Sequence, residues 1–187
     1  MTRALIVIDV RESFRACPLW EAISDPEIAD KVNRLIPLAR RAGDLVVWVL
    51  HSEPGSGGVF DPALGHDRLL EDLERREDGE LLIHKASHNA FTTTDLEQLR
   101  TEQCVETTAR LASDLGYLVT FVVDATATSP IPHRDAPADQ SLAGLLADPR
   151  TLPADEVVRR TEYALAGRFA TIATVDDEVE TAADLPA

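Results

Sequence analysis

Three strongly apolar runs, each about the length of one β-strand, limit the folds open to this chain more than any other feature. They read ALIVIDV (4–10), DLVVWVL (44–50) and YLVTFVVDA (117–125), and aspartates stand near the ends of the first and third. Unbroken apolar runs of this kind are typical of strands buried on both faces, as in parallel sheets. ELLIHK (80–85) and FATIATV (169–175) have weaker strand patterns. The chain therefore carries five candidate strands of a buried sheet.

Helical patterns separate these strands. DPEIADKVNRLIPLARRAG (25–43) has apolar residues at helical spacing and places Gly43 where a helix C-cap belongs. A short charged helix is predicted after the polar loop 51–67, and DEVVRRTEYALAG (155–167) predicts another. This alternation predicts an α/β fold, an open doubly wound parallel sheet in a Rossmann-like three-layer arrangement. With 44% hydrophobic residues, we expect a single domain over 1–187.

The charge of the chain narrows its partners. With 33 acidic against 18 basic residues, the formal net charge is -15 at pH 7. Such a charge disfavours nucleic acid and anionic membranes as main ligands. No apolar run approaches the roughly 18 residues of a membrane-spanning helix, and the first strand is too short for the core of a signal peptide. We therefore expect a cytoplasmic protein that acts on a small-molecule substrate, with no nucleic-acid or membrane partner.

Three reactive side chains fall at the predicted carboxyl ends of strands, where ligands bind in open α/β sheets. Asp9 ends the first strand, Lys85 ends the third, and Cys104 stands at the first turn of a predicted helix. A helix N-terminus and a nearby ammonium both favour a thiolate, and a carboxylate can carry a proton during nucleophilic attack. Each residue also has an ordinary alternative, because cysteines pack as small hydrophobes, lysines after strands are commonly solvated, and aspartates cap turns.

The motifs around these residues resemble those of the isochorismatase-like cysteine hydrolases. In that family the corresponding aspartate, lysine and cysteine form a catalytic triad, which the resemblance assigns here to Asp9, Lys85 and Cys104. The order of these three residues and their neighbours makes the likeness specific, and it covers nearly the whole chain. It rests on ALIVIDVRESF (4–14), HKASHNAFTTTDLEQLR (84–100) and TEQCVETTARLASDLGYLVTFVVDATAT (101–128), and in weaker form on RRTEYALAGRFATIATV (159–175).

The resemblance also implies a reaction and an assembly. Members that carry the cysteine hydrolyse small amides, ureides or carbamoyl compounds, whereas the isochorismatases proper cleave a vinyl ether and lack that nucleophile. Cys104 therefore favours cleavage of a C–N bond through a thioester, without a cofactor. The family suggests a homo-oligomer, a dimer or tetramer. The alternative is a catalytically inactive member that serves as a binding or scaffold protein.

The sequence departs from the family between Arg100 and Thr101. The family has a buried strand and a turn between the two helices at this place, whereas here the two residues follow one another directly. Two successive amphipathic helices with no Gly, Pro or Asn between them have no evident way to turn. We therefore predict that one central strand is missing from the sequence at this join. The opposing hypothesis is a genuine deletion, which would yield a misassembled or inactive protein.

Aromatic residues flank the proposed site in the sequence. Phe14, Trp20 and Phe91, together with Phe60, are predicted to wall a small apolar substrate pocket, with ordinary core packing as the alternative. The second cysteine, Cys17, precedes a proline in a loop and is predicted to be an incidental thiol.

Metal and phosphate chemistry are disfavoured. Zinc-binding members of the family use an aspartate followed two residues later by a histidine, and that order is absent here, so we expect no metal. A haloacid-dehalogenase-like phosphatase needs a second aspartate two positions after the first, where this chain has Arg11. The polar loop still offers four side chains that are able to bind a metal: His51, Glu53, Asp61 and His66.

Overall fold

Five strands form two parallel sheets in the computed structural model, which describes residues 3–86, 90–91 and 104–183. The first sheet has the order β1-β2-β3 and the second pairs β4 with β5. The predicted α/β fold with parallel strands is confirmed. The strands are β1 (Ala4–Ile8), β2 (Leu45–His51), β3 (Leu81–Lys85), β4 (Thr120–Val122) and β5 (Thr171–Ala173).

Six α-helices lie around these sheets in the part of the chain that the structure describes. The second covers one face of β1 and β2 with buried residues such as Val32 and Ile36, and Gly43 ends it in the left-handed conformation expected of a C-cap. No helix among the described residues is both long and apolar enough to cross a membrane. The helices are α1 (Glu12–Arg15), α2 (Ile28–Ala42), α3 (Glu106–Asp114), α4 (Leu142–Ala147), α5 (Ala154–Leu165) and α6 (Val175–Ala183), with 3₁₀ turns at Pro18–Ala22, Pro62–Leu64 and Val123–Ala125.

The central strand of the first sheet is its most buried element. Trp48 and Val49 of β2 are fully buried, because β1 and β3 flank the strand and helices or loops cover its faces. The parallel register places Ile8 opposite Val49 and His51 opposite Lys85. All three strands therefore end at one edge of the sheet, within a residue or two of one another.

The short charged helix predicted before β3 is wrong. The chain there runs in bends and turns, and Leu70 donates its backbone N–H to the Val10 carbonyl at 3.1 Å. Leu70 and Leu73 are buried against the α2–β1 core, and Arg40 of α2 holds Glu80 at 2.8 Å. These tertiary contacts hold the segment in a non-helical conformation, and together they outweigh the helix propensity of its charged residues.

An edge strand of each sheet, β1 of the first and β4 of the second, lines one cavity of about 1320 Å³. Among the described residues, β1 pairs only with β2, and β4 pairs only with β5, so each has one edge without a neighbouring strand. Consecutive residues of both strands line the cavity. The predicted strand YLVTFVVDA is correspondingly short, since only Thr120–Val122 is paired and Leu118 is almost wholly exposed. The suspected join of Arg100 to Thr101 lies outside the described residues.

The C-terminal helix α6 links the two halves of the molecule. It follows β5 of the second sheet and packs on α2 of the first. Arg34 of α2 binds Asp176 at 2.5 Å, and Arg3 binds Glu178 at 3.4 Å. A backbone hydrogen bond from Ser24 to Thr128, 2.8 Å long, adds a second connection. The halves are thus held together by helix packing and polar contacts on either side of the cavity.

Candidate active site

Asp9 directly follows β1 and turns its carboxylate over the end of the sheet. Its backbone N–H continues the ladder to the Val49 carbonyl at 2.8 Å, and its φ is 49°. A positive φ is uncommon outside glycine, although aspartate tolerates it better than most residues. Its Oδ1 accepts a hydrogen bond from the His51 backbone N–H at 2.6 Å. The end of β2 therefore fixes the orientation of this carboxylate.

Lys85 reaches Asp9 from the far side of the same sheet. It is the last residue of β3, and its Nζ lies 3.1 Å from Asp9 Oδ2. Neighbouring strands are about 4.8 Å apart, so the side chain has to cross the end of β2, which requires a stem as long as that of lysine. Its side chain is 0% exposed and that of Asp9 is 1% exposed. The pair is therefore a buried ion pair, and the alternative of a solvated lysine is wrong.

Burial moves the pKa values of both Asp9 and Lys85 toward neutral pH. It raises the pKa of Asp9 to about 6, although the positive charges of Lys85 and Arg11 oppose the rise. It lowers the pKa of Lys85 to about 8, although the negative charges of Asp9 and Cys104 oppose the fall. Desolvation disfavours each ion by itself, and each stabilises the charge of the other. The pair is thus poised to exchange protons near neutral pH.

Cys104 lies within electrostatic reach of this pair. Its side chain is fully buried, in a π-helical turn with Val105 that leads into α3. The attraction between its thiolate and Lys85 is one of the causes that hold the lysine charged, and by the same attraction the ammonium stabilises the thiolate. The structure thus brings Asp9, Lys85 and Cys104 together, with Lys85 interacting with both of the others.

Three of the four aromatic residues predicted to wall a pocket line the cavity that Asp9 faces. Phe14 and Trp20 lie along it, and Phe60 joins them with its ring 5.4 Å from that of Phe14. Phe91 instead stacks on Tyr117 at 6.4 Å, and it is not among the described residues that line the cavity. The aromatic wall near Asp9 is therefore built from α1, the 3₁₀ turn that follows it, and the polar loop.

The acidic residues Glu53 and Asp61 of the polar loop bind other groups of the same loop. His51 Nε2 and Glu53 Oε1 form one pair at 2.7 Å. The oxygens of Asp61 accept hydrogen bonds from the backbone N–H groups of Gly57 and Ala63, which lower its pKa. Within the parts of the chain that the structure describes, no group of three or more His, Cys, Asp or Glu side chains is arranged to hold a metal ion.

Sequence reasoning missed Arg11 as a site residue. Its side chain is fully buried and lines the cavity beside Asp9. The one signal in the sequence was its position, because it stands two residues beyond a strand-end aspartate and before a helix. A charge at that place has to face either solvent or the site, and the sequence alone does not say which.

Comparison with known proteins identifies relatives. The profile of the isochorismatase domain matches residues 3–153. A streptothricin hydrolase of Streptomyces noursei is 32% identical over 181 aligned residues, which cover 87% of this chain and 65% of the hydrolase.

Solved structures share the fold. An isochorismatase of Pseudomonas putida KT2440 gives a TM-score of 0.75 at 27% identity, over 94% of this chain and 88% of that one. The N-carbamoylsarcosine amidase of Thermoplasma acidophilum gives a TM-score of 0.61 at 20% identity, over 94% of this chain and 98% of its own. At that identity the second likeness concerns the fold alone.

The Lys85→Met substitution is expected to make stability depend more steeply on pH. Without the ammonium, the pKa of the buried Asp9 rises further, so the folded state of the variant binds its proton more tightly than the unfolded state does. Between about pH 5 and about pH 8 the variant should lose more stability than the wild type, by about 1.4 kcal/mol for each further unit of pKa. Urea unfolding at both pH values measures this.

The matched control is Lys31→Met, which removes the only other lysine of the chain. Lys31 pairs with Asp25 at the surface, 2.7 Å away, so its replacement should change stability equally at both pH values. Equal pH dependence in the two variants would contradict the ion pair described here.

Proposed function

Since the chain belongs to the isochorismatase family, we propose that it hydrolyses the C–N bond of a small amide, ureide or carbamoyl compound through a thioester on Cys104. The observation that carries the proposal is the buried pair of Asp9 and Lys85 with Cys104 in electrostatic reach. These are the parts that a thiol hydrolase requires: a nucleophile, a proton carrier and a cation that stabilises negative charge.

The proposed reaction assigns one role to each residue. The sulfur of Cys104 attacks the carbonyl carbon, and Asp9 takes the thiol proton and delivers it to the nitrogen as the C–N bond breaks. Water then attacks the thioester and gives a proton through Asp9 back to the sulfur, which releases the acid. Lys85 keeps the carboxylate of Asp9 ionised and stabilises the thiolate. The backbone N–H of Cys104 is the proposed donor to the oxyanion.

The named relatives support the choice of bond. Streptothricin hydrolase, which shares 32% of its aligned residues with this chain, carries the name of a hydrolytic enzyme. The fold itself is one on which an amide-cleaving enzyme, N-carbamoylsarcosine amidase, is built. The substrate pocket proposed for this chain is the end of the cavity beside Asp9, walled by Phe14 and Trp20. The homo-oligomeric state suggested by the sequence stays a prediction, which light scattering of the purified protein would test.

The Cys104→Ala variant is expected to abolish turnover while it leaves the fold intact, because alanine fills the same buried position without a nucleophile. Ammonia release from a panel of small primary amides, ureides and nicotinamide measures activity, and circular dichroism checks the fold. Cys17→Ala is the matched control, since that cysteine is partly exposed and lies outside the proposed triad. Activity retained by Cys104→Ala would remove the nucleophile from the proposal.

The pH dependence of kcat/KM should be bell-shaped. Activity falls below about pH 6, because a protonated Asp9 is unable to take the thiol proton, and it falls above about pH 8, because Lys85 loses its charge. In Lys85→Arg the cation stays charged at high pH, so the alkaline fall in activity should shift to higher pH or disappear. An alkaline limb unchanged in that variant would show that a different group titrates there.

A second candidate function is the binding of an extended peptide by a catalytically inactive protein. Within the described residues, β1 and β4 each have an edge without a neighbouring strand, and both edges line one cavity with their main-chain donors and acceptors. A strand inserted between them would pair with both edges, as in other cases of strand addition. Its side chains would meet apolar walls on both faces, so the matching ligand is an extended peptide rich in valine and isoleucine.

A lysine-flanked peptide of valine and isoleucine tests this second candidate. Binding is expected to change the fluorescence of Trp20, which lines the cavity, and to be lost when prolines interrupt the peptide, because they remove main-chain donors. Trp48→Phe, which removes the other tryptophan, isolates the Trp20 signal. Equal binding of both peptides, or of neither, would exclude strand addition.

A further inference from the structure

The side chain of Glu106, the first residue of α3, connects that helix to two other elements. Its Oε2 accepts a hydrogen bond from the hydroxyl of Thr161 on α5 at 3.0 Å. Its Oε1 accepts hydrogen bonds from Nε and Nη2 of Arg110, one helical turn further along, at 2.9 and 2.6 Å. The guanidinium carbon of Arg110 lies 4.5 Å from the centre of the Phe169 ring, just before β5. Both carboxylate oxygens are therefore engaged, and they connect α3 to α5 and to the segment that enters β5.

These contacts are largely shielded from water. The side chain of Glu106 is 17% exposed, and Thr161 is buried. A hydrogen bond to an ionised acceptor is stronger at a partly buried place than at the surface, because less water competes for the same groups. The bond between Glu106 and Thr161 therefore stabilises one relative position of the two helices.

Helix α3 begins without the usual cap. Helices commonly start with a polar side chain that binds the free N–H groups of their first turn. Val105 stands at the N-cap position of α3, and its side chain makes no such hydrogen bond. The turn is instead anchored through Glu106, by its bonds to Thr161 and Arg110.

Cys104 belongs to the same stretch of helix. It lies two residues before Glu106, in the π-helical turn that runs into α3 without a break. Residues two apart on a helix point to nearly opposite sides, so Glu106 holds the helix from the side away from Cys104. Thr108 again faces the other way, and its hydroxyl accepts the backbone N–H of Ala90, shortly after Lys85, at 3.2 Å. The helix is thus held from both sides.

The position of this turn sets how strongly the site favours a thiolate. Lys85 is fixed by its buried pair with Asp9, in which the two charged groups lie 3.1 Å apart. The attraction between Lys85 and Cys104 then depends on where the turn places the sulfur. Since both side chains are buried, salt screens this attraction little, and it weakens as the separation grows. A small displacement of the turn would therefore disfavour the thiolate.

We propose that Glu106 is a positioning residue, whose hydrogen bond to Thr161 holds the first turn of α3 so that Cys104 stays within reach of Lys85. This inference rests on the proposed hydrolase function and adds to it a residue that acts on the nucleophile through the backbone. It also gives a role in the reaction to α5, a helix that carries none of the three proposed catalytic residues.

The ionisation of Cys104 tests the inference in the folded protein without substrate. In a Cys17→Ala background the chain has a single cysteine. The ultraviolet absorbance of the thiolate is titrated against pH and corrected with the Cys17→Ala/Cys104→Ala double variant, so that it reports Cys104 alone. The midpoint of this titration is the measured quantity, and circular dichroism at each pH checks that the protein is folded.

Two substitutions break the bond between Glu106 and Thr161 without changing the charge of the chain. Glu106→Asp withdraws the carboxylate by one methylene, and Thr161→Val removes the hydroxyl. Each should raise the midpoint by roughly one pH unit, the size that Coulomb's law gives when two partly buried opposite charges move apart by about one to two ångströms. Thr161→Ser keeps the hydroxyl and should therefore leave the midpoint unchanged.

Thr151→Val is the matched control. The hydroxyl of Thr151 donates to the Leu145 carbonyl at 2.7 Å, near the end of α4, so this substitution also removes one threonine hydrogen bond, but away from α3. A merely structural role of Glu106 predicts that Glu106→Asp and Thr161→Val behave like the control, with lower stability to urea and the same midpoint. Unchanged midpoints in both would overturn the inference, whatever happens to turnover.

Turnover separates this inference from the hydrolase proposal. With the amides or ureides that the wild type hydrolyses, kcat should fall roughly 10- to 100-fold in Thr161→Val while KM changes little, because only the nucleophile is displaced. Hydrolysis by a protein whose midpoint is independent of Thr161 would leave the hydrolase standing and refute the role of Glu106. A midpoint that depends on Thr161 in a protein that hydrolyses none of the panel would support the positioning and refute the hydrolase. A thiol that stays protonated up to the pH at which the protein unfolds would refute both.

Discussion

The buried ion pair of Asp9 and Lys85 is the interaction on which the rest of the site depends. It forms only because three parallel strands end together, so that a lysine on β3 can cross the end of β2 and meet the carboxylate that follows β1. Neither ion would stay charged by itself at that depth. The backbone of His51 supports Asp9, and the charge of Cys104 supports Lys85. The register of the sheet therefore also sets the relative positions of the side chains in the proposed reaction.

The gap between the facing edges of β1 and β4 bears differently on the two candidate functions. A parallel α/β sheet normally continues through its centre, whereas here β1 and β4 each leave an edge facing the cavity among the described residues. Asp9, Lys85 and Cys104, the proposed catalytic residues, all lie in the described part of the chain. A hydrolase needs them held in register across the cavity, and a peptide-binding protein needs only the two edges.

The sequence predicted most of the described elements for identifiable reasons, and the catalytic roles of Asp9, Lys85 and Cys104 stay a prediction. The runs that became β1 and β2 are apolar because both faces are buried, and Gly43 marked the end of α2 through its left-handed conformation. The charged segment before β3 was mispredicted, because its path is set by contacts with Arg40 and Val10 that no local pattern shows.

In the site, too, some residues were recognisable from the sequence pattern, and others depend on contacts between distant parts of the chain. Asp9 and Lys85 were recognisable because strand ends of a parallel sheet share an edge, which is a property of the fold class. Arg11 was not, because its burial beside Asp9 depends on its contact with Asp67, which is distant in the sequence. Phe91 was assigned to the pocket by its place in the sequence, and its stacking partner Tyr117 stands in a different part of the chain.

The division of the molecule into halves has a consequence for the way the site is held. Asp9 and Lys85 belong to the first sheet, whereas Cys104 leads into α3, whose Ala109 packs with Phe121 of the second. A molecule bound between them would act as a tie across the seam, and its binding energy would add to the cohesion of the two halves. Ligand binding and folding would then be thermodynamically linked, so that a change in the stability of the fold would also change the affinity of the site.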